Sequence, residues 1–190
     1  MGGRLSAPIV AAALAARRLD AQAKDAVGLA RTDAAWSEAS VDFEVTQQLV
    51  TSALGSLPST RLPVVTGFIG GTAHGATTLL GRGGSDYTAV VLGWALEAER
   101  VEIWSDVPGV MTADPRRDAS ARTLPRLSYG QAAELARRAA RVLHPRALEP
   151  LEQLGIPVFV GRTLEPHGPG TWIGDCDDQA VVRREGGTAA

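Results

Sequence analysis

LPVVTGFIGGTAHGATTLLGRGGSDYTAVVLGWALEAERVEIW, residues 62–104, is the stretch on which the fold turns. Leu62 to Ile69 is a short apolar run rich in β-branched residues, which predicts a buried strand. Gly67 and Gly70-Gly71 break it, and Gly70 to Gly75 has the composition of a hairpin tip. Thr77 to Leu80 then leads into the cluster GRGGSD, after which Ala89, Leu92, Gly93 and Leu96 mark one face of a helix reaching about Ala98. Val101 to Trp104 is the next strand. Strand, glycine turn, helix, strand is the order of a βαβ unit, so the class is α/β, and GRGGSD falls at the carboxyl end of a strand, where open α/β sheets bind ligands.

Outward from this centre, the same periodicities continue. Ser6 precedes an N-terminal helix, with Pro8 in its first turn and Ile9, Val10, Ala13 and Leu14 expected on its buried face. Leu19 to Ser40 has no sustained period and reads as short strands and loop. From Val41, apolar residues at Val45, Leu49, Val50, Ala53 and Leu54 predict a helix that Gly55 stops. Downstream, Ser128 and Gln131 form a capping box for a helix carrying Ala132, Leu135, Ala136, Ala139 and Leu143. Leu148 to Leu154 adds a turn or two, and Ile156 to Val160 is a strand. The Asp- and Gly-rich end, residues 174–190, reads as a linker or tail after a domain spanning 1–173.

Composition limits what such a chain can do. At 190 residues, 45% hydrophobic and 21% charged, with a net charge of -2, it has a real core and no polyelectrolyte character. That balance argues against nucleic acid as a partner, because phosphate neutralisation needs a cationic surface. No stretch is a convincing signal peptide or membrane span. Cys176 is the only cysteine, which excludes an internal disulfide and a cysteine-built zinc site and suits a reducing cytoplasm. The basic residues are Lys24 and 18 arginines, so chemistry that demands a second lysine is excluded.

Three clusters carry chemistry. In Gly81-Arg82-Gly83-Gly84-Ser85-Asp86, the glycines let backbone N–H groups approach a ligand, and the helix beginning beside Ser85 turns its positive end to anions. Arg82 can fork onto a carboxylate or phosphate, Ser85 can donate, and Asp86 can hold a magnesium-bound water or orient a cation. The plainer alternative is a glycine turn with Asp86 as a structural N-cap. No lysine follows, so this is no Walker A loop, and GxGxxG fails at Asp86. The second cluster, Ser105 to Arg116, leaves the VEIW strand as a stiff loop with two prolines. Asp106 there can meet a base, a ribose or a metal, and Arg116 a polyphosphate; an ordinary loop with a turn at Asp114-Pro115 stands beside that reading. The third, Arg141 to Pro145, closes a helix, and His144 there satisfies its dipole. Trp36, Trp94, Trp104 and Trp172 have no regular spacing and read as packing residues.

Taken together, VVTGFIGGTAHGATTLLGRGGSDYTA (64–89), VEIWSDVPGVMTADPR (101–116), LSYGQAAELARRAARVLHPRALEP (127–150) and IPVFVGRTLEPHGPGTWI (156–173) resemble the aspartokinase branch of the amino acid kinase family. GGRLSAPIVAAAL at residues 2–14 is similar to the family's GERLSARLLAAAL. The resemblance implies a three-layer αβα sandwich around a mainly parallel sheet. It also implies transfer of the ATP γ-phosphoryl group to the side-chain carboxylate of L-aspartate, with Mg2+, in aspartate-family amino acid biosynthesis. By the same resemblance, Arg82, Gly83, Gly84 and Ser85 hold the amino acid and Asp86 organises transfer. Ser105, Asp106, Met111, Thr112, Asp114, Pro115, Arg116 and Arg141 contact the nucleotide.

Departures from the family pattern are equally specific. The chain has no KFGGTS-type segment, whose lysine meets the transferring phosphoryl; Gly3 stands where the family has a glutamate; and Ala139 and Arg141 replace the Gly and Lys of GAK. The expectation is therefore a portion of a longer catalytic domain, with an open sheet edge covered by a second copy or by another polypeptide. The alternative is a homologue that binds nucleotide or a small acid without phosphorylating it, or that phosphorylates a different carboxylate.

Overall fold

The computed structural model describes residues 2–113, 118–139 and 148–174. It divides into two compact units, Met1–Val101 with Leu143–Ile156, and Glu102–Val142 with Pro157–Ala190. The α/β expectation holds: helices alternate with strands, and parallel pairing occurs in both units beside antiparallel pairs. Among the described residues no helix is long and apolar enough to cross a membrane.

The first unit opens with α1 (Gly2–Ala15), which lies against the parallel strands β1 (Asp20–Lys24) and β2 (Arg61–Val65). The N-terminal helix therefore starts five residues earlier than its sequence suggests, and Ser6 sits inside it, donating back to the Gly3 carbonyl. Its buried face is also different. Ala7 and Ala11 are buried, whereas Ile9 and Val10, expected inside, are 68% and 46% exposed. Gly3, Ala7 and Ala11 recur every four residues, and a stripe of small side chains lets the helix backbone approach the strands closely.

Between β1 and β2 run a 3-10 turn, Ala26–Gly28, and α2 (Phe43–Leu54), whose first turn is capped by Asp42 accepting from the Val45 amide. The parallel βαβ unit is thus β1–α2–β2, one element before the glycine cluster that was expected to form it. The register sets Asp20 opposite Arg61, and their side chains pair at 2.9 Å. β3 (Ile69–Gly71) and β4 (Thr77–Leu79) form the expected hairpin, with Gly75 at φ +77° in its tip. This hairpin takes the chain into α3 (Gly84–Ala95). Leu29, Val50, Leu54 and Ala95 form the core where α2 and α3 meet, and Phe43 abuts Trp94 edge-on at 4.9 Å. α5 (Leu148–Leu154) also packs on α3.

The second unit holds a four-stranded sheet in the order β5 (Val101–Ser105), β7 (Val158–Arg162), β8 (Thr171–Ile173), β6 (Arg126–Leu127). Ile103, Val158, Val160, Ile173 and Leu127 are buried, while Trp104, Phe159 and Trp172 form a contacting aromatic row. Trp94, Trp104 and Trp172 are thus packing residues, as their spacing suggests; Trp36 is 60% exposed on a loop. Ser128 and Gln131 make the expected capping box at the start of α4 (Tyr129–Ala139), with Oγ accepting from the Gln131 amide and Oε1 from the Ser128 amide.

Two substitutions test this packing. A Cβ at Gly93 would overlap the Val101 side chain, itself buried. Gly93→Ala should therefore lower stability by about 1–3 kcal/mol in denaturant titrations. Ser128→Ala should cost about 1 kcal/mol by removing one half of the capping box.

Candidate functional site

The carboxyl ends of β1 and β2 are held together by side-chain hydroxyls and carboxylates rather than by apolar packing. Thr66, immediately after β2, donates its amide to the Lys24 carbonyl at 3.0 Å, and its Oγ1 accepts from the Ala26 amide at 2.8 Å. Asp25 caps the 3-10 turn through the Val27 amide and pairs with Arg4 of α1 at 2.9 Å. Arg4 also donates to Thr77 Oγ1 of β4 at 3.2 Å, so one guanidinium ties α1 to two other elements.

Beyond Thr66 the backbones close in. A Cβ on Gly3 would stand 3.1 Å from the Gly67 carbonyl oxygen, and a Cβ on Gly67 would stand 3.4 Å from Ser85 Cα. The first turn of α1, the segment after β2 and the first turn of α3 are therefore layered with no side chain between them. Phe68 adopts φ +74°, a conformation rare for a residue with a Cβ. Its amide donates to Thr88 Oγ1 at 3.0 Å, and its carbonyl accepts from the Leu80 amide at 3.1 Å. Its ring covers Gly84, where a Cβ would come 2.8 Å from Phe68 Cδ2. Strained residues of this kind collect at functional sites.

The cluster expected to bind a small acid follows directly. Gly81 to Gly84 form a turn closed by the Gly84 amide on the Gly81 carbonyl at 3.1 Å, with Gly81 at φ +84° and Gly83 at φ +71°. Gly83 is the N-cap of α3 and supplies no side chain, so no side chain caps the amides that follow Gly84. Arg82 and Ser85 are exposed, Gly84 is buried, and Asp86 is half-buried. Asp86 is the third helical residue, so its reading as an N-cap does not hold. Burial raises the Asp86 carboxyl above the ordinary aspartate value of 3.8, in spite of the helix end beside it.

Ser105 and Asp106 lie at the end of β5 in the second unit, and Ser105 Oγ is 3.2 Å from Asp106 Oδ1. The Ser105 carbonyl accepts from both the amide and the hydroxyl of Thr163, at 2.9 and 3.0 Å. The loop is shaped by Gly109 at φ +133°, packed on Thr171, and by Thr171 Oγ1, which accepts from the Val110 amide at 2.8 Å and donates to the Leu124 carbonyl at 2.7 Å. Met111 bridges Thr123, and Thr112 exchanges hydrogen bonds with Arg122. Asp114, Pro115, Arg116 and Arg141 lie outside the described residues, as do His144, Cys176 and the tail after Gly174.

The structure thus brings Arg82, Gly83, Gly84, Ser85 and Asp86 together in the first unit, and Ser105, Asp106, Met111 and Thr112 in the second. Sequence reasoning missed Gly67, Phe68 and the Arg4–Asp25 pair. Only the TGF that splits LPVVTGFI hinted at the first two, and nothing in the local pattern marked the third.

The chain is 41% identical over 157 residues to the lysine-sensitive aspartokinase 3 of Escherichia coli, covering 83% of this chain and 35% of that protein. It is 35% identical over 173 residues to an aspartokinase of Chlamydia pneumoniae, covering 91% of this chain and 39% of the relative. The solved structure of E. coli aspartokinase III in complex with aspartate and ADP superposes with a TM-score of 0.86 at 40% identity, over 91% of this chain and 39% of that one. The chain spans less than two fifths of the length of these relatives. The family model for the amino acid kinase family matches residues 1–162, and the chain belongs to that family.

Proposed function

We propose that this chain carries catalytic-domain residues of an aspartate kinase, which transfers the γ-phosphoryl group of ATP to the side-chain carboxylate of L-aspartate. The observation that carries the reading is the uncapped, glycine-built start of α3, with an unpaired arginine before it and a half-buried aspartate in its first turn, in a chain similar to aspartokinases. Residues 1–173 are read as part of that domain and 174–190 as the link onward.

The chemistry asks little of a general base, because the acceptor carboxylate is already ionised at neutral pH. A carboxylate oxygen forms a new bond to the γ-phosphorus, the bond from that phosphorus to the β–γ bridging oxygen breaks, and ADP leaves with the electron pair. Catalysis is then alignment plus compensation of phosphate charge. Arg82 holds a substrate carboxylate bidentately, with Gly83, Gly84 and Ser85 forming the turn beside it. Asp86 orients the phosphoryl-transfer centre. Ser105, Asp106, Met111 and Thr112 belong to the loop that receives the nucleotide, and Asp114, Pro115, Arg116 and Arg141 complete it in this reading.

Among the described residues no group of three or more His, Cys, Asp or Glu is disposed to cage a metal. That suits magnesium arriving as MgATP, bound by phosphates and one or two carboxylates, where it neutralises phosphate charge. Asp86 is the carboxylate placed to take part. Cytoplasmic residence and assembly with a second copy or another polypeptide also belong to this reading. The observation favouring assembly is that β1 and β2 pair with each other alone among the described residues, and Leu5 and Ile9 of α1 are exposed.

An ADP-release assay with L-aspartate and MgATP tests the activity. Turnover that falls about a hundredfold in Arg82→Ala supports it; nucleotide-dependent thermal stabilisation without turnover overturns it. Asp86 gives a second test with a definite sign. Burial penalises its ionised form in the folded chain, so Asp86→Asn should raise the thermal midpoint at pH 7 while lowering turnover. The stability gain should shrink as pH falls toward 3.8, because the folded wild-type carboxyl, raised by burial, takes up its proton above that value.

A further inference from the structure

Asp86 stands in the first turn of α3 with nothing bonded to its carboxylate. An acidic side chain at the third helical position can reach back to the N-cap amide, yet among the described residues Asp86 makes no hydrogen bond and no ion pair. Burial alone acts on it, raising its carboxyl above the ordinary aspartate value. Where the carboxylate stands is therefore decided by the backbone of that turn, and whatever fixes the turn fixes the carboxylate.

Two backbone bonds shape the turn from within: the Gly84 amide donates to the Gly81 carbonyl at 3.1 Å, and the Tyr87 amide to the Gly83 carbonyl at 3.0 Å. Thr88, only 4% exposed, ties it to another part of the chain. Its Oγ1 donates to the Gly84 carbonyl at 2.7 Å and accepts from the Phe68 amide at 3.0 Å. A hydroxyl has a single proton, so both of its roles are assigned. A threonine bonded back to the carbonyl four residues earlier slightly destabilises a helix by itself. Here the same oxygen also reaches a segment twenty residues away, whose own carbonyl is held by the Leu80 amide at 3.1 Å. The Phe68 ring closes over Gly84, where a Cβ would come 2.8 Å from Cδ2. Gly84 and Thr88, the two residues so anchored, flank Asp86 in the helix.

We propose that Thr88 is a positioning residue for Asp86: its hydroxyl ties the first turn of α3 to the Phe68 segment and so fixes where the carboxylate stands. A carboxylate placed through its backbone keeps all its lone pairs for an incoming group. The proposal rests on the aspartate kinase reading for what Asp86 does there and deepens it by naming the group that holds it in place. Loss of the hydroxyl removes two hydrogen bonds and leaves the Phe68 amide without its acceptor, enough to misplace a reacting group and cost about tenfold in turnover.

Two measurements on the full chain test it, in wild type, Thr88→Val and Thr88→Ser, with thermal melts to confirm folding and Thr88→Ala in place of the valine variant should that one be unfolded. The first is the titration of the Asp86 carboxyl followed by carbon-13 NMR, which needs no turnover; the second is steady-state ADP release with L-aspartate and MgATP. The expected result is that Thr88→Val lets water reach Asp86 and moves its titration down toward 3.8, while kcat falls about tenfold with both KM values unchanged. Thr88→Ser, which keeps the hydroxyl, restores both. An unmoved Asp86 titration in a folded variant, or equal losses in the valine and serine variants, overturns the proposal. A titration that moves in a chain whose wild type shows no turnover leaves Thr88 as the group that places Asp86 and overturns the aspartate kinase reading instead.

Discussion

The first unit depends on a close approach of backbones that only glycine permits. At Gly3 and Gly67, α1, the segment after β2 and the start of α3 meet in successive close contacts, and the bare backbone of Gly84 takes the Phe68 ring against it. The constraint is steric. A Cβ at Gly84 would come 2.8 Å from the Phe68 ring, and one at Gly3 would come 3.1 Å from the Gly67 carbonyl oxygen. What the packing leaves open at the helix start is Gly83 and Ser85, both exposed on either side of the covered Gly84.

Electrostatics in the first unit is divided between charges that hold the fold and charges left available. Arg4–Asp25 and Arg61–Asp20 are exposed pairs at 2.9 Å, worth little individually in stability, but each fixes where an element ends. Arg4 ties the start of α1 to Asp25 and Thr77, and Arg61 pairs with Asp20 across the first register position of β1 on β2. Arg82 is left out of this network, and the turn that carries it is shaped by backbone hydrogen bonds alone. An arginine that holds nothing together is free to hold something else.

Much of this was legible in the sequence because its signals were local. The Ser128–Gln131 capping box, the hairpin around Gly75 and the glycine turn before α3 each depend on a few adjacent residues, and each formed as read. The face of α1 was not legible, because a helix rich in alanine has no single apolar stripe. Close packing chose Ala7 and Ala11 over the larger Ile9 and Val10. The βαβ unit was misplaced because a three-residue hairpin, β3–β4, separates the strand LPVVT from the helix, and alternation over so short a strand carries no period. The conformation of Phe68 depends on Leu80, Gly84 and Thr88, beyond a hairpin and a turn, which no short window of sequence can show.

Phe68 shows why the strain is tolerated. A non-glycine residue at φ +74° costs about 1–3 kcal/mol, and it persists only where its surroundings over-determine it. Here the Phe68 amide is fixed by Thr88, its carbonyl by Leu80, and its ring by the bare face of Gly84. Thr88 in turn donates to the Gly84 carbonyl at 2.7 Å, so the group that holds Phe68 also binds the first turn of α3. The strained residue and the helix start are therefore one mechanical unit. Any displacement of Phe68 must move Gly84, and with it the backbone that leads into Ser85 and Asp86.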